Sequence, residues 1–226
     1  MPAAERRDRG ATRRRRAPAR LGPRFERALA YAARLHRDQR RKGSGIPYVS
    51  HLLATAALTI EHGGDEDEAI AALLHDAVED QGGEATRRAI RRRFGARVGA
   101  IVDECSDADT IPKPPWRERK QRYVAHLAAA SPSARLVCAC DKLHNALSIL
   151  SDLERHGEAL WDRFRGGREG TLWYYRAIAD ELLRAGGGTA AAALAHVVGE
   201  IEQWARTADG GRRRRRSQGP PEARHR

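Results

Sequence analysis

The sequence predicts an all-α fold, and three observations carry that expectation. Apolar residues recur at three- and four-residue intervals through the segments between residues 25 and 206, no run of four to eight residues alternates as a half-buried strand would, and the breaks between periodic segments fall at glycines or prolines. With 226 residues and 41% apolar content the chain can bury one substantial core, so a single domain over 25–206 is expected.

Each element follows from this punctuation. Phe25, Leu29, Ala32, Ala33 and His36 form the stripe of a first helix that stops before Gly43-Ser44-Gly45. Pro47-Tyr48 leads into a second, with Ser50 near its start and Gly63-Gly64 beyond its end. Ile70, Leu73, Leu74, Ala77 and Val78 make a third, stopped by Gly82-Gly83. A fourth spans about 84–94 and a fifth about 96–105, the latter with Val98, Ile101, Val102 and Cys105 on one face. Residues 106–115, with Asp107, Asp109, Pro112, Pro114 and Pro115, form the one long internal loop, a kind of segment that often carries function. Further helices are expected over about 116–130, 133–155, 158–164, 169–185 and 189–206.

The net charge of +12 suggests a nucleic-acid partner until it is divided along the chain. Residues 1–24 carry nine Arg against Glu5 and Asp8, and residues 207–226 carry seven Arg against Asp209 and Glu222, which gives +7 and +5. The 25–206 segment is therefore formally neutral and has no global attraction to polyanions. Arg13–Arg16 and Arg212–Arg216 sit in tails with few apolar residues, which are expected to be disordered. No secretory signal and no run of 18 apolar residues is present, so a cytoplasmic protein with no membrane partner is expected. Three cysteines, 105, 138 and 140, do not make a disulfide framework, and Cys138 and Cys140 point about 200° apart on a helix. They are expected to pack in the core.

The chemistry is concentrated in three stretches. On a continuous helix with His75 at zero, Glu79 falls at about 40°, Asp76 at about 100° and Asp80 at about 140°, while apolar residues fill the complementary arc. One side packs and the other holds four ionisable groups. A second polar stripe, Asp141, Asn145 and Ser148, lies on one face of the 133–155 helix, opposite Leu136, Val137, Cys140, Leu143, Leu147, Ile149 and Leu150. An acidic group in so apolar a helix costs several kcal/mol if buried alone, so Asp141 needs a cation or a donor. A divalent metal shared with His75, Asp76 and His51 would satisfy it.

The H…HD…D arrangement with its Glu79-Asp80 extension resembles the HD phosphohydrolase superfamily. More narrowly, the chain resembles the hydrolase domain of RelA/SpoT homologues and, in size, the stand-alone small alarmone hydrolases. The matching segments are A-x-x-H-R-D-Q-R-R-K at 33–42, I-P-Y-V-S-H at 46–51, A-A-L-L-H-D-A-V-E-D at 71–80, F-G-A-R-V at 94–98 and D-K-L-H-N at 141–145. The resemblance implies an HD-domain helical bundle in which His51, His75, Asp76 and Asp141 hold one divalent ion, usually Mn²⁺. Glu79 and Asp80 would orient and deprotonate water. Lys42 would contact the base, Asn145 and Ser148 the nucleotide, and Arg119 and Lys120 the phosphates. The implied reaction removes pyrophosphate from guanosine 3′-polyphosphates, the 5′-diphosphate form leaving GDP and the 5′-triphosphate form GTP, with degradation only, since no synthetase region follows the motifs. Ser106 in place of Thr, the proline-rich 107–116 segment and Val137-Cys138-Ala139-Cys140 depart from the family pattern and bear on the substrate rather than the metal.

Two other readings fit the residues. The same site could act on another nucleotide, an adenosine alarmone or the 2′-phosphate of NADPH, because metal ligands set the reaction and not the base. Alternatively, the core is a scaffold and the Arg-rich tails make an RNA-associated protein.

Overall fold

The computed structural model describes residues 19–106 and 114–217, with side chains as far as 208. Arg13–Arg16 and Asp107, Asp109 and Pro112 of the internal loop lie outside the described residues. Among those described, every regular element is helical, and the only pairing of extended backbone is an isolated bridge between Arg40 and Pro47.

Helices α1 (Pro23–Leu35), α2 (Val49–Glu61), α3 (Glu66–Leu74), α4 (Ala77–Asp80), α5 (Gly83–Phe94) and α6 (Ala96–Cys105) close around buried side chains that include Leu52, Ile70, Leu73, Ile90, Val98 and Ile101. Helices α7 (Trp116–Ala129), α8 (Pro132–His156), α9 (Gly167–Arg184) and α10 (Gly188–Ser217) enclose a second cluster with Leu127, Leu153, Leu160, Ile178, Leu182 and Leu194. Between α8 and α9, residues Gly157–Arg163 form a 3₁₀ helix where the sequence predicts an ordinary helix. Burying each Leu or Ile contributes about 1.5–3 kcal/mol.

Helix α8 belongs to both clusters. Its Ala134 and Val137 pack into the first, and Cys138, Leu143, Ala146, Ile149 and Leu153 into the second. It starts at Ser131, whose side chain accepts a hydrogen bond from the Ala134 amide at 3.1 Å, with Pro132 in the first turn. Twenty-five residues at about 1.5 Å each make a rod of roughly 37 Å. A side chain on the middle of α8 therefore looks across at the ends of α2 and α3.

Three expectations are revised. The third helix is not continuous: α3 stops at Leu74, and Asp76, with φ −94° and ψ −4°, starts the single turn of α4. The stop strands the last carbonyls of α3, and the His75 ring satisfies one of them, with Nδ1 2.9 Å from the Ala72 oxygen. The last helix runs to Ser217 instead of ending near 206; arginine is a good helix former, and the helix continues through Arg212–Arg216. On α8, Val137, Cys140, Leu143 and Ile149 are buried as expected, but Leu147 is exposed because it lies on the side away from both clusters.

Candidate metal centre

Four side chains from three elements converge at the α2, α3–α4 and α8 junction. His51 comes from α2, His75 and Asp76 from the break between α3 and α4, and Asp141 from α8. His75 Nε2 lies 3.0 Å from Asp76 Oδ2 and 3.6 Å from Asp141 Oδ1, and His51 Nε2 lies 3.1 Å from Asp141 Oδ1 and 3.8 Å from Asp76 Oδ2. Such separations suit donors that share one ion at about 2.1 Å, which stand roughly 3–3.5 Å from one another. The helix break makes this possible, because neighbours on an unbroken helix diverge by about 100°.

The cluster is deeply set: His51, His75 and Asp141 are 1%, 3% and 5% exposed. Burial accounts for Asp141 less simply than the sequence suggests. Its Oδ2 accepts from Lys142 Nζ at 2.5 Å and its Oδ1 from Asn145 Nδ2 at 2.6 Å, so this carboxylate already has a counter-ion. The demand for a metal comes from His75 instead. With Nδ1 committed to the Ala72 carbonyl, its Nε2 is buried, near two carboxylates, and hydrogen-bonded to neither. An orphaned nitrogen aimed at two carboxylates, beside a second imidazole, is the donor set a divalent cation takes. His51, His75 and Asp141 thus fit a divalent metal site, and Asp76 Oδ2 lies 3.0 Å from His75 Nε2 beside them.

Charge in the cluster has the same sense. Burial opposes a proton on His75, but the Asp76 and Asp141 carboxylates outweigh it and raise its pKa well above the ordinary value. Burial also works against ionised Asp76 and Asp141, yet His75 beside the first, and Lys142 and the two imidazoles beside the second, hold both below the usual carboxylate range. His51 is pulled down, mainly by burial. The two carboxylates thus favour positive charge at the centre.

Around the four stands a shell of residues that the sequence reading did not assign. Tyr48 donates to Asp76 Oδ2 at 2.5 Å, and its ring packs against His36 and His51 with centroids 5.5 Å away in each case. His144 Nδ1 lies 2.7 Å from His51 Nδ1. Burial, with His51 next to it, lowers the His144 pKa to about 4. Gln39 donates to Asp80 Oδ2 at 2.8 Å and is itself held by Gln81 and His36, both at 2.6 Å. Burial raises the Asp80 carboxyl. Tyr48, His144 and Gln39 all lie in the quoted motifs, so proximity in sequence was the available signal. Their partners are 28 to 93 residues away or depend on a ring orientation, which no spacing encodes.

The polar stripe on α8 is joined by hydrogen bonds: Asn145 bonds to Asp141, and Arg41 Nη2 reaches Asn145 Oδ1 at 3.0 Å and Ser148 Oγ at 3.4 Å. The cation on this stripe is thus Arg41, whereas Lys42 beside it is exposed. Glu79 is half-buried on α4, one turn beyond Asp76. Lys120, on α7, rests over Tyr174 and Tyr123, 4.7 Å and 5.9 Å from their ring centroids, and Lys142 Nζ lies 5.3 Å from the Tyr123 centroid. Arg119 is half-buried beside it. Trp161 and Tyr174, later in the chain, are buried in the second cluster, and Arg176 is committed to Glu202 at 2.7 Å and 2.9 Å.

The fold and its sequence define a family: the HD domain model matches residues 28–172, and the chain belongs to that family. Among its relatives is the human guanosine-3′,5′-bis(diphosphate) 3′-pyrophosphohydrolase MESH1, 40% identical over 141 residues that cover 61% of this chain and 74% of the relative. The Drosophila melanogaster MESH1 is 35% identical over 62% of this chain and 75% of its own length. A solved structure, described as a metazoan ortholog of SpoT that hydrolyzes ppGpp, superposes with a TM-score of 0.65 at 30% identity, covering 82% of this chain and 97% of the other.

Proposed function

We propose that the protein is a metal-dependent 3′-pyrophosphohydrolase of guanosine 3′,5′-bis(diphosphate)-type alarmones. The observation that carries this is the orphaned His75 Nε2 facing Asp76 and Asp141, with His51 alongside and the Arg41–Asn145–Ser148 stripe next to them. The relatives that share this frame are named for that reaction.

His51, His75, Asp76 and Asp141 would hold one divalent ion, Mn²⁺ being our assignment from a two-nitrogen, two-carboxylate set. When bound, it supplies positive charge that polarises a phosphoryl group and makes nearby water more acidic. Tyr48 pins Asp76, and His144 holds the His51 ring, so the donors are oriented in advance. Asp80, raised by burial and held by Gln39, accepts a proton from the attacking water together with Glu79. A bond forms from that oxygen to the phosphorus beside the ribose 3′ oxygen. The 3′ oxygen leaves and is protonated, which gives pyrophosphate and GDP or GTP.

Arg41, Asn145 and Ser148 are assigned to the nucleoside, with Lys42 toward the base. Arg119 and Lys120 are assigned to the phosphates, Lys120 lying over the Tyr123 ring that Lys142 also approaches. Among the described residues no helix is long and apolar enough to cross a membrane. A nucleotide substrate and three free cysteines support a cytoplasmic protein that removes alarmone in the stringent response. The test is a nucleotide panel with metal-stripped and Mn²⁺-loaded protein. Pyrophosphate released from the guanosine alarmone only in the loaded sample is expected. Orthophosphate alone, or a preference for NADPH or an adenosine alarmone, would overturn the assignment.

A further inference from the structure

Cys105 and Cys138 meet where α6 packs on α8. Their sulfurs are 3.4 Å apart, with the Cys138 thiol donating to Cys105. Cys138 is buried and Cys105 half-buried, so the pair can be approached from the Cys105 side. Cys138 also lies three residues, just under one turn, before Asp141 on α8. A second link joins them through side chains: Tyr123 donates to Cys138 Sγ at 3.3 Å, the Tyr123 ring lies 5.3 Å from Lys142 Nζ, and Lys142 holds Asp141 Oδ2 at 2.5 Å. The departures from the family pattern before Asp141 are thus two cysteines with different surroundings. Cys140 is fully buried and points about 200° away from Cys138, out of reach of Cys105.

We propose that Cys105 and Cys138 form a dithiol site for oxidation by small disulfides of the glutathione class, and that the crosslink weakens the hold of Asp141 on a divalent cation. The chemistry balances as two exchanges. The Cys105 sulfur gives up its proton and attacks one sulfur of the oxidant, breaking its S–S bond and releasing one thiol. The Cys138 sulfur then gives up its proton and attacks Cys105 Sγ, breaking the mixed disulfide and releasing the second thiol. Two protein thiols are oxidised and one small disulfide is reduced.

Closing the pair takes the sulfurs from 3.4 Å to about 2.05 Å. Both ends are anchored, Cys105 by α6 against the first cluster and Cys138 by α8 at the boundary of the two. Movement therefore falls on the α8 turn that leads to Asp141, and on Tyr123, whose hydroxyl loses its thiol partner while its ring faces Lys142. The crosslinking clause stands without any metal; the cation clause rests on the metal-site reading.

The experiment treats the full chain with oxidised glutathione, maps peptides by mass spectrometry, counts thiols after denaturation and measures Mn²⁺ binding by calorimetry. Expected are a peptide joining Cys105 to Cys138, two fewer thiols, reversal by dithiothreitol, and Mn²⁺ affinity about tenfold weaker, the size of losing an orienting partner. Cys105→Ser and Cys105→Ala should show neither the link nor the oxidant-dependent loss. A stable glutathione adduct on Cys105 with no link, or a link that involves Cys140, overturns the dithiol site. A correct link with unchanged affinity overturns the coupling to Asp141. A reduced protein that binds no Mn²⁺ sinks the metal reading and the coupling with it, while the peptide map still decides the first clause.

Discussion

Replacing His144 by Leu should cost metal affinity more than it costs folding. If His51 Nε2 is to bind a cation, the ring proton must sit on Nδ1, and the partner 2.7 Å away is His144 Nδ1. His144 therefore has to accept. Leucine offers no acceptor, and His51 is only 1% exposed, so bulk water does not reach it. A buried unsatisfied N–H costs about 1–3 kcal/mol, a factor of roughly 5 to 150 in an equilibrium constant. Without metal the penalty is largely avoided, because His51 can take the other tautomer and donate from Nε2 to Asp141 Oδ1 at 3.1 Å. The loss should thus be read in Mn²⁺ affinity by calorimetry on stripped protein, with the melting temperature of the metal-free form changing less. His144→Asn places an amide oxygen about where the imidazole Nδ1 stood and should restore most of the affinity. A Leu variant that binds Mn²⁺ within about twofold of wild type would refute the tautomer argument, and so would an Asn variant as weak as Leu.

Mn²⁺ at about a hundred times its dissociation constant should stabilise the fold by about 2.7 kcal/mol, which differential scanning calorimetry would record as a rise of roughly 5–10 °C, abolished by chelator. Asp80→Asn should keep Mn²⁺ affinity and lose most hydrolysis, since Asp80 stands one turn beyond the donors and contacts Gln39; unchanged turnover would remove it from the proton-transfer role. Arg41→Ala removes the cation bonded to Asn145 and Ser148 and should raise KM about tenfold with metal affinity intact, as steady-state kinetics and calorimetry together would show. Ile178→Ala, fully buried in the second cluster, should destabilise by about 2–5 kcal/mol in urea titration without altering Mn²⁺ binding.

Helix existence was largely legible because burial imposes a period. Ile70, Leu73, Leu74, Ala77 and Val78 are all buried, and Gly82 ends their segment at φ 112°. The convergence of His51, His75-Asp76 and Asp141 was legible because few roles fit those residues together, and the structure does bring them within 4 Å of one another. The break at Asp76 was not, since apolar residues continue through it and the stop depends on a ring reaching back to the Ala72 carbonyl. The end of α10 was misread because Gly210-Gly211 and the arginine run look like a tail by composition, while arginine itself favours helix.

The amino-acid order alone determines which faces are apolar, where chain breaks fall and which residues can bind a cation, because these depend on residue type and local spacing. Tertiary packing decides the rest: that Asp141 is matched by Lys142 and Asn145 while His75 Nε2 is left unpaired, that Tyr48 and His144 orient the donors, that Arg41 and not Lys42 reaches the stripe, and that Cys105 meets Cys138. Those facts are distances of a few ångströms between helices, and a helix's own periodicity carries no information about which neighbour it will face.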